Sequence, residues 1–111
     1  MEFGHIAGID KPISRLVQGT LMLTAPDGKP GFELLDGVVE LGCTTFDTAH
    51  VYGSGANERL VGQWVRERGN RDQVVIIGKG AHHNQDRKRV TPFDITADVY
   101  DSLARFQFDY I

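Results

Sequence analysis

Short apolar runs alternate with longer stretches in which apolar residues recur every three or four positions. The runs cover residues 15–23, 43–46 and 74–77, and their β-branched and aromatic residues predict three strands. The third run is continuously apolar, which is typical of a parallel strand covered on both faces. A further apolar run at residues 108–111 predicts the beginning of a fourth strand.

The stretches between and after these strands predict three amphipathic helices, each with one apolar face. The first helix follows a loop at residues 24–31 and ends at Gly42, because glycine accepts the left-handed conformation found at helix C-termini. The second begins with Asn57 as N-cap and Glu58 near the positive end of the helix dipole. The third begins with Asp94 as N-cap. The predicted faces are Phe32, Leu34, Leu35, Val38, Val39 and Leu41; Leu60, Val61, Trp64 and Val65; and Ile95, Val99, Leu103 and Phe106.

This alternation of strands and helices implies parallel strands joined by right-handed crossovers. Two α/β architectures share that order, an open doubly wound sheet and a closed (β/α)8 barrel. A dinucleotide-binding doubly wound unit carries a glycine fingerprint after its first strand. Residues 19–22 (GTLM) lack that fingerprint, which favours the barrel. The residues before Arg15 fit either a small hairpin or a plain loop.

Composition and charge exclude several classes of protein. The chain has 111 residues, 41% hydrophobic and 24% charged, as in an ordinary globular domain. Its net charge of −3 does not fit a nucleic-acid-binding protein, which carries a basic excess. No apolar run reaches the roughly 18 to 20 residues of a membrane span, and residues 1–5 lack a signal-peptide pattern, so we expect a cytoplasmic protein. The single cysteine, Cys43, lies in an apolar stretch and is expected to be buried and unreactive.

Three ionisable residues lie at or just beyond the carboxyl ends of predicted strands. Asp47 directly follows the second strand, and Tyr52 lies five residues further on in a glycine-rich loop. Lys79 follows the third strand and is flanked by glycines. In a parallel barrel the carboxyl ends of all strands lie on one face, where active sites occur. We therefore expect the three side chains to converge.

Such a combination suits proton transfer to a carbonyl group. A free phenol has a pKa of about 10, and a nearby ammonium lowers that value by about one to three units. A carboxylate paired with the lysine keeps the lysine charged, and the tyrosine can then protonate a carbonyl oxygen as hydride reaches the carbon. The hydride must come from a nicotinamide cofactor, because no side chain supplies one. Taken singly, each of the three residues also fits a cap, a loop hydrogen bond or a solvated charge.

Other polar residues give weaker signals. His82 and His83 fit exposed loop positions, and no set of ligands with metal-binding spacing accompanies them. His50 fits either the lining of the site or a structural role. The charged run at residues 86–89 fits a solvated loop and is too short to indicate a phosphate or nucleic-acid site.

The sequence around these positions resembles the aldo-keto reductase family. The resemblance rests on residues 46–58 (FDTAHVYGSGANE), 60–62 (LVG), 75–79 (VIIGK) and 101–111 (DSLARFQFDYI). The first block is long and specific for the family, and the likeness runs from about Arg15 onward. It implies a TIM barrel that binds NADP(H) across its C-terminal face and reduces aldehydes or ketones, or oxidises the alcohols.

The resemblance also implies roles for individual residues. The family's catalytic Asp, Tyr and Lys fall on Asp47, Tyr52 and Lys79. The positions that contact the nicotinamide end of the cofactor fall on Gly19, Thr20 and Leu21, together with Asp47 and Tyr52. The family's catalytic histidine lies at the end of the fourth strand and has no counterpart here, since that strand begins at about Asp109.

We therefore expect residues 1–111 to form the N-terminal part of a (β/α)8 barrel, with about three and a half of its units, from an NADP(H)-dependent reductase of small-molecule carbonyl compounds. Alone, the chain is expected to lack activity and to be unstable or self-associating, because strand edges and one face of the core stay exposed. Two alternatives stay open: a cofactor-binding regulatory subunit of a partner such as a channel, and an independently folding small α/β protein. The sequence indicates neither the substrate nor an oligomeric state.

Overall fold

The computed structural model describes all residues, Met1–Ile111. In chain order the elements are β1 (Phe3–Gly4), β2 (Ile13–Ser14), β3 (Val17–Gly19), α1 (Lys29–Glu40), β4 (Thr45–Asp47), the 3₁₀-helix Tyr52–Gly55, α2 (Ala56–Arg68), β5 (Val75–Ile77) and α3 (Pro92–Phe106). The predicted alternation of strands and helices is observed from β3 to α3. Before it, β1 and β2 pair antiparallel, so the first residues form a hairpin.

Strands β3, β4 and β5 form one parallel sheet with β4 in the middle. The pairing register aligns the last residues of the strands in one row, with Gly19 beside Asp47 and Asp47 beside Ile77. Cys43, just before β4, is buried as predicted, and its sulfur lies 3.3 Å from the carbonyl oxygen of Leu16. Because the strands run in one direction, the residues that follow their carboxyl ends meet at a common edge.

The core lies between this sheet and the helices, and Trp64 of α2 is at its centre. The fully buried Trp64 ring packs edge-on against Phe46 of β4, with 5.3 Å between ring centroids. Its Nε1–H donates to a carboxylate oxygen of Asp36 on α1 at 2.8 Å, so the buried indole keeps a partner. The other buried members of this cluster are Phe32, Leu35, Leu60, Val61, Val65, Val74, Ile76 and Phe106. The apolar face predicted for α2 is confirmed.

Helix α1 differs from its prediction at its start and on one flank. It begins at Lys29, inside the predicted loop, because Pro30 in the first turn needs no N–H donor there. Leu34 and Leu41 do not belong to the buried face, since they are 48% and 80% exposed. Leu34 lies one position off the buried stripe, and Leu41 already follows the last helical residue. The predicted end is confirmed, because Gly42 has a φ angle of +89°.

Neither predicted N-cap is correct. Gly55, in a left-handed conformation, precedes α2, and Asn57 lies inside the first turn of that helix. The N-cap of α3 is Thr91, whose hydroxyl oxygen accepts the N–H of Asp94 at 3.2 Å. The Asp94 carboxylate accepts the Thr91 hydroxyl in return, so Asp94 completes a reciprocal capping arrangement from the first turn.

The buried side of α3 is mainly polar, contrary to the predicted apolar face. The buried residues recur at intervals of four: Asp94, Asp98, Ser102 and Phe106. Two residues of the predicted face are nearly half exposed: Ile95 and Val99. This helix meets α2 and the loop after β5 through hydrogen bonds and ion pairs, and these polar contacts determine which face is buried. None of the three helices combines the length and the apolar character needed to cross a membrane.

The last residues do not form the predicted fourth strand, because they pair with no strand of the sheet. The Phe108 ring stacks on Phe106 with 5.0 Å between centroids. The guanidinium of Arg71 lies 3.9 Å from the centre of the Tyr110 ring and donates to the Tyr110 carbonyl oxygen at 3.0 Å. These aromatic contacts hold the segment beside β5, where it borders an open apolar cavity of about 710 Å³ together with the hairpin.

Candidate active site

Lys79 joins two other predicted site residues through direct hydrogen bonds. Its Nζ donates to a carboxylate oxygen of Asp47 and to the hydroxyl of Tyr52, the latter at 2.9 Å. Asp47 is the last residue of β4, and Lys79 lies two residues beyond the end of β5, the neighbouring strand. The expected convergence of the three side chains is therefore observed, and it follows from the common edge at which these strands end. None of the three lines the large apolar cavity.

A left-handed turn directly after Tyr52 determines where its phenol lies. The next three residues have φ angles of 57°, 53° and 98°, all in the region that favours glycine. A Cβ atom at Gly53 would lie 2.7 Å from the Thr24 side chain, so a larger residue does not fit there. The glycines of this segment therefore turn the chain into α2 while the phenol stays beside Lys79.

The charges of the site are partly exposed and mutually paired. The Lys79 side chain is 44% exposed and that of Asp47 is 31% exposed. Burial lowers the pKa of the Lys79 ammonium, but hydrogen bonds to Asp47 and Tyr52 raise it further than burial lowers it, so the net pKa lies above its ordinary value. Lys79 is therefore a persistent cation at neutral pH. A cation fixed beside a phenol stabilises the phenolate that proton donation leaves behind.

The loop that leaves β3 forms the neighbouring wall of the site. The N–H and the hydroxyl of Thr20 both donate to the Asp47 carbonyl oxygen, at 3.1 and 2.7 Å. A Cβ atom at Gly19 would meet no other atom within 4 Å, so the main chain is open there. Leu21 is 55% exposed. An open main chain and an exposed apolar side chain beside the Lys79–Asp47 pair suit the approach of a flat ring.

Asn57 holds this loop from α2, a role that the sequence pattern did not reveal. Its amide nitrogen donates to the carbonyl oxygens of Thr20 at 2.7 Å and Leu23 at 3.1 Å, and the side chain is fully buried. The sequence signal was an asparagine at the start of a helix, where capping is the common use. Its actual partners lie 37 and 34 residues earlier in the chain.

His50 lies next to the site, but its ring contacts α3. The backbone N–H of His50 donates to the Lys79 carbonyl oxygen at 2.9 Å. Its Nε2 lies 3.1 Å from a carboxylate oxygen of Asp101 and 3.5 Å from one of Asp98. Of the two roles open to His50, these contacts favour the structural one. The three side chains could approach a metal ion, but Arg89 already binds both Asp98 oxygens, at 2.6 and 3.0 Å. The Asp98 carboxylate is therefore already occupied by its ion pair with Arg89.

The loop after β5 is not the freely solvated segment predicted from its charged run. Arg87 makes two hydrogen bonds to Asp94, at 2.8 and 2.7 Å, and Arg89 binds Asp98 in the same way. These guanidinium hydrogen bonds hold the pKa of both carboxyl groups below its usual range. The two adjacent histidines of the loop are exposed as predicted: His82 and His83.

Comparison with known sequences gives one consistent family. The model of the "Aldo/keto reductase family" matches residues 15–111. The chain is 35% identical to aldo-keto reductase YhdN of Bacillus subtilis (strain 168), in an alignment that covers 100% of this chain and 36% of that protein. It is 42% identical over 100 residues to an aryl-alcohol dehydrogenase (NADP(+)) of Phanerodontia chrysosporium, covering 77% of this chain and 25% of that protein. The chain thus spans about a third of the first relative and a quarter of the second.

Solved structures give the same result for the fold. An aldo-keto reductase from Bacillus halodurans, in its holo form, superimposes with a TM-score of 0.81 at 29% identity, over 100% of this chain and 38% of that one. A glycerol dehydrogenase from Gluconobacter oxydans gives a TM-score of 0.83 at 27% identity, over 98% and 37%. Both are TIM-barrel proteins, so the sheet and helices described above form part of an eight-stranded barrel. The barrel prediction is confirmed, and the open doubly wound sheet is excluded.

Proposed function

This chain belongs to the aldo/keto reductase family, and from that premise we propose that the protein that carries it reduces aldehyde or ketone groups to alcohols with NADP(H). One observation carries the proposal: the Lys79 ammonium binds the Tyr52 hydroxyl and the Asp47 carboxylate at the same time. The activity is proposed for the protein that carries the chain, since the chain spans about a third of its relatives' length. Inactivity of residues 1–111 alone stays a prediction.

Tyr52 is the proposed proton donor. Its hydroxyl lies 2.9 Å from Lys79 Nζ, so the phenolate that remains after proton transfer has an ammonium at hydrogen-bond distance. Lys79 supplies that positive charge, and Asp47 keeps Lys79 charged and limits where its Nζ can lie. Proton donation by a side chain positioned in this way contributes about 10² to 10⁴ in rate.

The nicotinamide end of the cofactor is proposed to bind at Gly19, Thr20 and Leu21, beside Asp47 and Tyr52. When bound, the nicotinamide supplies the hydride. The residues fit such a group. Gly19 leaves the main chain open. Thr20 is buried, and its hydroxyl and N–H bind the Asp47 carbonyl oxygen, so it holds the loop in place beside the cofactor position. Leu21 offers an apolar surface to a flat ring.

The names of the relatives support a finer assignment of cofactor and substrate. The Phanerodontia chrysosporium relative is an aryl-alcohol dehydrogenase (NADP(+)), and it is 42% identical in an alignment that covers 77% of this chain. We therefore propose NADP(H) as the cofactor and aromatic aldehydes as the first substrates to assay. The relatives and neighbours named above are two reductases and two dehydrogenases, and nothing in their names supports the alternative of a regulatory subunit.

The test is reduction of benzaldehyde by the full-length protein that carries this chain, followed by loss of NADPH absorbance. Tyr52→Phe removes the proton and keeps the ring, and we expect it to lower kcat by about 10²-fold or more. The matched control is Tyr100→Phe, which removes a hydroxyl from a 69% exposed tyrosine on α3 and should leave kcat unchanged. Full activity in Tyr52→Phe would overturn the proposal. Equal kcat/KM with NADH and NADPH would overturn the cofactor assignment alone.

A further inference from the structure

We propose that Asp98 is a positioning residue for this site: it holds the turn formed by Lys79, Gly80 and Ala81, and thereby keeps Lys79 against Tyr52. The inference rests on the proposed function, because the position of Lys79 matters for catalysis only if Lys79 acts on Tyr52. Asp98 lies on α3, which carries none of the three proposed catalytic residues, and it touches none of the reacting groups.

The turn is held at the peptide groups on both sides of Gly80. On one side, the Lys79 carbonyl oxygen accepts the N–H of His50 at 2.9 Å. On the other, the N–H of Ala81 donates to a carboxylate oxygen of Asp98 at 2.8 Å. Hydrogen bonds on both sides leave the main chain of Lys79 little freedom to rotate, so they determine where its side chain begins.

Ala81 needs the Asp98 contact because its backbone is unfavourable. Its φ angle is +61°, one of only three positive values among the non-glycine residues of the chain. An alanine seldom adopts this conformation, since its Cβ approaches the following carbonyl oxygen. The hydrogen bond from its N–H to the fixed carboxylate compensates for that cost.

Gly80 shows how closely Asp98 approaches the turn. A Cβ atom at Gly80 would lie 3.0 Å from the Cβ of Asp98 and 3.3 Å from its carboxylate oxygen, which is tighter than ordinary packing. The glycine therefore allows α3 to bring the carboxylate up to the main chain beside Lys79. The turn therefore contacts α3 through the Asp98 side chain itself.

Asp98 itself is a fixed anion. Only 3% of its side chain is exposed, and Arg89 holds it through two hydrogen bonds. The other charged or titratable groups near this pair are His50, Asp101, Arg87 and Asp94, the last of which lies 3.7 Å from Arg89. Arg89 also donates to the His82 carbonyl oxygen at 3.2 Å, so the same guanidinium fixes the chain beyond the turn.

The chain offers a matched comparison one helical turn away. Asp94 is a buried carboxylate on the same helix with the same exposed fraction of 3%, and it makes the same two-fold bond to an arginine, Arg87. Its hydrogen bonds reach Arg87 and Thr91, not the turn around Gly80. Removing either carboxylate therefore breaks a similar ion pair. Only the removal of Asp98 also leaves the N–H of Ala81 without its acceptor.

The experiment measures kcat and KM for benzaldehyde and NADPH in the full-length protein. We expect Asp98→Ala to lower kcat by about ten- to a hundredfold, as a misplaced catalytic group does, with both KM values within about twofold. Asp98→Asn keeps an oxygen that can accept the Ala81 N–H, so its loss should be smaller. Adding Ala81→Gly to Asp98→Ala should raise kcat several-fold, because glycine adopts a positive φ angle without the anchor, and in Asp98→Asn it should recover only the smaller loss of that variant.

Asp94→Ala is the control for loss of a buried ion pair, and it should leave kcat within about twofold while lowering stability. A kcat loss in Asp94→Ala equal to that in Asp98→Ala would overturn the inference, and so would failure of Ala81→Gly to raise kcat in the Asp98→Ala background. If Asp98→Ala does not fold, Asp98→Asn with and without Ala81→Gly decides the question. Failure of the proposed function has a different signature, namely full activity in Tyr52→Phe.

Discussion

Gly62 lies directly against the main chain of Phe106: a Cβ atom at Gly62 would be 2.5 Å from the Phe106 carbonyl oxygen and 2.6 Å from its Cα. This is a backbone contact between α2 and α3, and no flexible side chain could move aside to relieve a clash there. Close by, the buried Glu58 of α2 accepts the Ser102 hydroxyl at 2.5 Å. The contact therefore fixes α3, the helix that carries Asp98, against α2.

Gly62→Ala should destabilise the protein strongly. The added methyl group forces α3 away from α2, and overpacking of this kind costs about 1 to 3 kcal/mol. Gly37→Ala is the matched control, because a Cβ atom at Gly37 of α1 meets nothing within 4 Å. That change should stabilise the protein by about 0.5 to 1 kcal/mol through helix propensity. Urea unfolding followed by circular dichroism gives both free energies, and equal effects would contradict the close contact.

Asn57→Ala should weaken both the fold and cofactor binding. The carbonyl oxygens of Thr20 and Leu23 lose their donor inside the protein, which costs about 1 to 3 kcal/mol. The loop at residues 19–21 then loosens, so the KM for NADPH should rise more than the KM for the aldehyde. Gln63→Ala, at an exposed position of the same helix, is the control. An unchanged KM for NADPH would show that Asn57 does not support a cofactor site.

Much of the fold could be predicted because its signals are local. Apolar runs such as residues 74–77 identify the strands, and the three ionisable residues near the strand ends meet because parallel strands share one edge. Glycines at positive φ, such as Gly42, mark helix ends for a local steric reason. For the strands and the helix ends, the residues that determine the local structure are close together in the sequence.

The polar contacts outside the Asp47, Tyr52 and Lys79 cluster could not be predicted, because no strand-end position marks residues whose partners are distant in sequence. Asn57 and Asp94 both stand where capping is common, yet Asn57 binds carbonyl oxygens more than 30 residues away. The contact of Asp98 could not be identified from the sequence for the same reason, since its partner Ala81 is 17 residues earlier. The apolar run at residues 108–111 fails as a strand because a strand needs a paired neighbour, and that segment has none in this chain.

Asp47→Asn should lower the pKa of Lys79. Burial lowers that pKa, and hydrogen bonds to Asp47 and Tyr52 reverse the effect. Without the carboxylate, burial is less opposed, so the ammonium should lose its proton at lower pH. An NMR titration of the Lys79 Cε resonance measures the change directly. Asp101→Asn, a partly exposed carboxylate that contacts His50, is the control. The same titration curve in wild type and Asp47→Asn would show that the carboxylate does not maintain the charge.

The Arg87–Asp94 pair should make part of the stability depend on acid pH. Hydrogen bonds from Arg87 and Thr91 hold the pKa of Asp94 below its ordinary value, which for an unfolded aspartate is about 3.9. A carboxyl group with a depressed folded pKa adds stability above the unfolded pKa, and that stability is lost as pH falls through the folded pKa. The free energy of unfolding should therefore decrease as pH falls below about 4, where unfolded aspartate begins to take up protons.

Asp94→Asn removes this titrating group, so the free energy of unfolding of that variant should fall less steeply with acid. Asp98, whose pKa is also lowered, accounts for part of the remaining slope. Asp10→Asn, at an exposed position, should follow the wild-type curve. Urea unfolding at a series of acid pH values measures the slopes, and a wild-type slope in Asp94→Asn would mean that this ion pair does not couple folding to protonation.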